Sequence, residues 1–200
     1  MKKILGIMAL LLLCLNVAAD NQSDARKVLD KTAAIVGRKG GSQASFQISG
    51  SKVGTHSGTI AIKGNKFCAK TEGTTMWYDG KTQWTYMKKS NEVNVATPSA
   101  SKQQTMNPYT FLKLYKKGYK LSLKKDGNRQ QVHMEATGKA SIQEVYVTVD
   151  SNYQPVQVRM RQNNAWTTIV ISNFKAVDQQ NSTFQFNSKD YPKAEVIDLR

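Results

Sequence analysis

The sequence has few of the groups that carry chemistry: two histidines, two cysteines and four prolines in 200 residues. His56 and His133 are separated by most of the chain's central strands, and solvent-facing strand positions account for both. Cys14 lies in an apolar leader, so loss of the leader leaves Cys68 alone. A single thiol closes no internal disulfide, and the fold must rest on its core. Cys68 itself reads as a small buried apolar residue. Gly-x-Ser-x-Gly, a cluster of metal ligands and a phosphate-binding loop are all missing. No catalytic residue, metal or cofactor is therefore expected, and the chain is not expected to be an enzyme. Acidic residues are also scarce: 14 Asp and Glu stand against 29 Lys and Arg, for a formal charge of +15. After the leader no apolar run approaches the roughly 20 residues that span a bilayer.

Residues 1–19 read MKKILGIMALLLLCLNVAA. Lys2 and Lys3 precede an apolar run from Ile4 to Leu15, and Val17-Ala18-Ala19 supplies the small residues of a cleavage site. This predicts a secretory signal peptide cut near Ala19, followed by one domain over 20–200. Leu13 stands where a lipoprotein signal needs a small residue before its cysteine. Without Lys2 and Lys3 the charge of +15 becomes +13. A secreted protein rarely meets nucleic acid, so anionic membrane surfaces and acidic protein partners fit this charge better, and scattered lysines also favour solubility.

The stretch Gly58 to Pro98 shows strand periodicity. Ile60 and Ile62, Met76 and Tyr78, Trp84 and Tyr86, and Val93 and Val95 recur at every second position, which places each pair on one face of a strand. Asp79-Gly80 predicts a two-residue hairpin turn. Phe46 and Ile48 mark a preceding strand and Phe67 one within the stretch. Before them, 24–36 predicts an amphipathic helix capped within Asn21 to Ser23. After them, Thr97 to Asn107 reads as a polar loop. Asn107 to Tyr119 reads as a short helix, with Pro108 in its first turn and Phe111, Leu112 and Tyr115 on one side. The remainder alternates again: Leu121 and Leu123, Val132 and Met134, Val145 to Val149, Val156 to Met160, Trp166 to Phe174 across an Asn163-Asn164 turn, then a last short strand at Phe184 and Phe186, with Val196 and Ile197 near the end.

These elements predict a mainly β fold with a few helices. About ten or eleven strands make one strongly curved antiparallel sheet, an incomplete barrel whose hollow is covered by the N-terminal helix and a short lid helix. Two short helices fill such a hollow incompletely, and a pocket for acyl chains follows. Its candidate lining comes from the strand faces: Phe46, Ile48, Ile60, Ile62 and Phe67 first. Met76, Trp84, Tyr86, Val93 and Val95 continue the meander, and Val132, Met134, Val147, Val158 and Met160 come from the second half. Pro108, Phe111, Leu112 and Tyr115 are the candidate lid contacts. A loaded chain is expected to displace the lid.

Several of these pieces, in order, resemble the outer-membrane lipoprotein carrier family LolA. Gly58 to Lys63 is similar to its Gly-x-apolar-x-apolar-Lys strand, Phe67 to the strand that follows, and Asp79-Gly80-Lys81-Thr82-Gln83-Trp84-Thr85-Tyr86 to its Asp-Gly-Lys-x-x-Trp-x-Tyr hairpin. QASFQ at Gln43 to Gln47 resembles the first strand, NPYTFLKLY the lid helix, and FQFNSKDYPKAEVIDLR the ending. The resemblance implies a monomeric periplasmic carrier without catalytic activity, whose hollow holds lipoprotein acyl chains. It implies loading from an inner-membrane lipoprotein-releasing ABC transporter and unloading to an outer-membrane acceptor. Lys63-Gly64-Asn65 departs from the Lys-Arg-Pro of proteobacterial members, whose Arg is associated with holding the lid shut. Carriers of other lipids or polyenes, and sensor or protein-interaction modules of the same fold, stay open beside it.

Overall fold

The computed structural model describes residues 21–99 and 114–200. Helix α1 occupies 21–36. A first meander follows as β1 (Ser42–Gly50), β2 (Gly54–Lys63), β3 (Lys66–Thr71), β4 (Thr74–Tyr78), β5 (Gln83–Met87) and β6 (Glu92–Ala96). A second runs through β7 (Tyr119–Asp126), β8 (Arg129–Ala136), β9 (Ile142–Val149), β10 (Pro155–Gln162) and β11 (Ala165–Ala176), and β12 (Glu195–Asp198) ends the chain. The twelve strands of the described residues form one sheet in the order β12-β6-β5-β4-β3-β2-β1-β11-β10-β9-β8-β7. The long-range pair β1–β11 joins the two meanders antiparallel. β7 and β12 stand at opposite edges without pairing to each other, so the barrel is incomplete.

Three local expectations change. Phe184 and Phe186 do not form a strand: 181–184 is a 3-10 turn, and the last strand is instead β12 at Val196 and Ile197, pairing parallel with β6. Asp79-Gly80 is not a two-residue turn, because Tyr78 pairs with Gln83 across four residues. The Asp79 carboxylate accepts from the Lys81 and Thr82 amides at 2.9 and 2.8 Å, which organises the wider loop through a side chain. The helix already runs at Asn21, through the stretch expected to cap it. The Asn21 amide instead bonds both backbone groups of Leu123 on edge strand β7, at 3.0 and 2.7 Å. A side chain thus satisfies an edge that has no neighbouring strand among the described residues. The Asn163-Asn164 turn is as expected, with φ of 49° and 59° and Gln162 opposite Ala165.

Register explains the core. Leu123, Val132, Val147, Val158, Ile169 and Ile48 lie opposite one another in sequence across β7-β8-β9-β10-β11-β1 and therefore share the concave face. α1 lies in this concavity, and Ala25, Val28, Leu29 and Val36 join one buried cluster with Val132, Met134, Val145 and Val147. The i, i+3, i+4 spacing of those helix residues puts them on one stripe. Thr32 is also buried, its hydroxyl returned to the Val28 carbonyl at 2.9 Å. At the far side, Lys31 lies 4.3 Å from the Tyr153 ring centroid and donates to its hydroxyl at 3.0 Å.

At Gly58 the neighbouring strand backbone approaches closely. A Cβ there would come within 2.0 Å of the Lys70 carbonyl and 3.0 Å of the Phe46 ring. Backbone cannot retreat as a side-chain tip can, so Gly58→Ala should lower the unfolding free energy by about 1–3 kcal/mol in urea titration, as over-packing does. An unchanged midpoint would mean that β2 and β3 separate freely at this point.

On the convex face of β8–β11, Glu144 accepts from the Tyr146 hydroxyl at 2.8 Å, contacts His133 Nε2 at 2.9 Å and pairs with Arg161 at 3.1 Å. The His133 and Tyr146 rings stack at 4.4 Å. The Tyr146 hydrogen bond first, and the His133 and Arg161 contacts after it, hold the Glu144 carboxyl below its ordinary value against the opposing effect of burial. A depressed carboxylate stabilises the fold above its unfolded pKa, and that contribution is lost as pH falls through the folded value. Stability should therefore decline from the ordinary glutamate range downwards, and Glu144→Gln should flatten that part of the urea-midpoint profile.

Candidate functional site

The concave face is unevenly filled. Beneath α1, Val132, Met134 and Val145 are 0 % exposed. Towards β1, β2, β10 and β11 the same face continues past the helix, and Phe46, Ile48, Ile60, Ile169 and Ile171 remain only half-buried. They border a hollow of about 310 Å³. Among the described residues its wall is apolar except for Ser42, Gln43, Ser45, Gln162 and Thr167, and none that lines it is charged. The Ser42 hydroxyl already donates to the Val36 carbonyl at 3.0 Å. Such a wall offers apolar area with few directional contacts, which suits a hydrocarbon chain better than a polar metabolite. Among the described residues no group of three His, Cys, Asp or Glu could hold a metal.

The predicted lining divides into three groups. Phe46, Ile48, Ile60, Ile62, Val147, Val158 and Met160 do surround the hollow. Phe67, Val132 and Met134 share its face but are sealed in the core cluster, and Met76 packs against that cluster opposite Ala69. Trp84, Tyr86, Val93 and Val95 are on the other side of the sheet. Trp84 pairs with Trp77 and Val95, and Tyr86 with Val93, and this row continues the side that carries Cys68 opposite Trp77. The alternation placed each pair on one face correctly but did not say that β5 and β6 carry their large residues outwards. There the C-terminal segment covers them: Phe184 is 0 % exposed beside Cys68 and Trp77, and Tyr191 lies 5.6 Å from Trp77 and 4.6 Å from Tyr86. Burial raises the Cys68 thiol above its ordinary pKa, which keeps it protonated and unreactive.

Sequence reasoning missed Val36, Ala44, Val53, Ala69, Ile169, Ile171 and Phe174 as lining residues. Ile169 and Ile171 stood in plain alternation and could have been assigned. Ala44 and Ala69 could not, because small residues line a hollow by leaving space. Of the predicted lid, Pro108, Phe111 and Leu112 lie outside the described residues. Its last part is firmly seated: Tyr115 is 1 % exposed, and its hydroxyl donates to the Asp30 carboxylate of α1. Lys63 of the departing Lys-Gly-Asn stretch donates to the Gln179 carbonyl at 2.6 Å, so it ties the β2–β3 turn to the C-terminal segment.

Comparison with known proteins adds a family and a fold. The sequence profile of a family described as "Outer membrane lipoprotein carrier protein LolA" matches residues 15–164. No curated protein matches the chain. Among solved structures, an uncharacterized conserved protein from Thermus thermophilus superposes with a TM-score of 0.56 at 14% identity, over 88% of this chain and 99% of that one. A LolA superfamily protein from Nitrosomonas europaea gives a TM-score of 0.45 at 12% identity, covering 81% and 97%. The Mycobacterium tuberculosis lipoprotein LppX gives 0.45 at 8%, covering 78% and 99%.

Proposed function

We propose that this chain, which belongs to the LolA family of outer membrane lipoprotein carrier proteins, is a carrier that takes up the acyl chains of lipoproteins in its hollow. In this reading the leader sends it to the periplasm and is removed near Ala19. The mature protein moves as a soluble monomer between an inner-membrane lipoprotein-releasing ABC transporter and an outer-membrane acceptor, without catalysing a reaction. The observation that carries the reading is the half-buried apolar wall around about 310 Å³, beside a part of the same face that α1 fills completely. An ordinary core would have no such difference in packing. Each methylene moved from water into this wall contributes about 0.8 kcal/mol, so a long chain is held by area alone.

Binding of a fluorescent fatty acid to delipidated protein tests the hollow, and mass spectrometry of protein purified from its own periplasm tests the cargo. Saturable binding together with co-purified lipoprotein is expected. Absence of both would overturn the reading, while recovery of another lipid would keep the hollow and replace the cargo.

A further inference from the structure

The two ends of the sheet differ in charge. At one end lie the turns that follow β1, β3, β5, β8 and β10, together with the residues leading into β7 and β12. Antiparallel pairing fixes this grouping, because Gly50 at the end of β1 lies opposite Thr167 near the start of β11. These connections carry Lys52, Lys88, Lys89 and Lys139, and then Lys116 and Lys117 before β7 and Lys193 before β12, all exposed. Glu72 is the one acidic residue within them, with Glu92 and Glu195 at the adjoining strand ends. In the described connections at the opposite end Arg38, Lys39 and Lys81 balance Asp79, Asp150 and Asp178, and the adjoining strand ends add Lys63, Lys66 and Arg129 against Asp126 and Asp198, so this end is the less basic one.

Among the described residues the hollow is open towards the basic end. Val53, in the β1–β2 turn beside Lys52, lines the hollow and is nevertheless 39% exposed. Gln162 and Thr167, which flank the β10–β11 turn, line it at the same end. At the other end Val36 and Ser42 are 4% and 1% exposed and bonded to each other through the Ser42 hydroxyl, which closes it.

From this coincidence of charge and opening we infer that the lysine-bearing rim docks on an anionic bilayer surface and sets the mouth of the hollow against the lipid. This rests on the reading of the hollow as an acyl-chain site. Lysine ammonium groups meet lipid phosphates there, and exposed Val53 marks the mouth that this orientation holds at the bilayer surface, where a membrane-bound partner hands the chain over. The opposite rim carries the smaller net positive charge and so the weaker attraction, and the protein approaches the membrane by the basic rim.

The test is flotation of the periplasm-purified protein with vesicles of about three parts phosphatidylglycerol to seven of phosphatidylethanolamine, against purely zwitterionic vesicles. The protein is expected to float with the anionic vesicles only, and to be released in about 1 M NaCl, where the Debye length is about 3 Å. Lys88→Gln with Lys89→Gln should lower partition by about 30-fold, at roughly fivefold per lysine near the surface. Adding Lys52→Gln and Lys139→Gln should remove it. Lys39→Gln with Lys81→Gln changes the net charge equally and should leave partition as it was. Fluorescent fatty-acid binding in the absence of vesicles should be the same in all of these proteins. If the protein binds fatty acid but not anionic vesicles, or if both double variants lose partition alike, the rim proposal is overturned; an acidic protein then becomes the partner to seek. If fatty acid itself does not bind, the hollow reading fails separately.

Discussion

Ile169→Trp should lower fluorescent fatty-acid affinity by about 200-fold while leaving the melting temperature unchanged or raised. Ile169 sits on β11 between Ile48 and Val158 in the cross-strand row, half-buried, with its side chain on the wall of the hollow. An indole there occupies space that a chain would otherwise take. Excluding roughly four methylenes removes about 3 kcal/mol of transfer free energy, which is the expected change in affinity. In a filled core the same substitution would over-pack the site at a cost of about 1–3 kcal/mol of stability. The two readouts together therefore distinguish an open hollow from a core: weak binding with full stability supports it, and unchanged affinity would place the ligand elsewhere.

Phe184→Ala should act on the other side of the sheet. Its ring is 0 % exposed against Cys68 and Trp77, and truncation of such a ring typically removes about 3–5 kcal/mol. The segment it belongs to is held further by the rings of Phe186 and Tyr191, 5.7 and 5.6 Å from Trp77. It should therefore open locally before the sheet unfolds. Modification of Cys68 by a thiol reagent should accelerate by on the order of 100-fold at constant pH, since local opening governs access. Fatty-acid affinity should not change, because the strands lie between this cluster and the hollow. Trp84→Ala belongs to the same test and should likewise spare affinity. Loss of binding in either variant would mean that the two faces are coupled through β4 and β5.

Much of the β architecture was legible because strand alternation is a local property. Val132 and Met134, or Val158 and Met160, declare a shared face through spacing alone, and Asn163-Asn164 declares its turn because both residues tolerate positive φ. The helix was equally legible from Val28, Leu29 and Val36. The Asp79 loop was not, since its width depends on a carboxylate bonding to two amides beyond it.

Composition and periodicity by themselves determined the fold class and the excess of positive charge, and the order of the motifs pointed to the family. They did not determine which face of each strand turns inwards, because a period of two is symmetric about the sheet and only the register with neighbouring strands breaks that symmetry. That is why Trp84 and Tyr86, the largest residues of the central stretch, sit under the C-terminal segment while Ala44 and Ala69 border the hollow. Whether the concavity is filled depends on where α1 lies across it, and the basic rim exists only because antiparallel pairing gathers turns from distant parts of the chain at one end. Both are consequences of long-range packing that no local stretch of sequence contains.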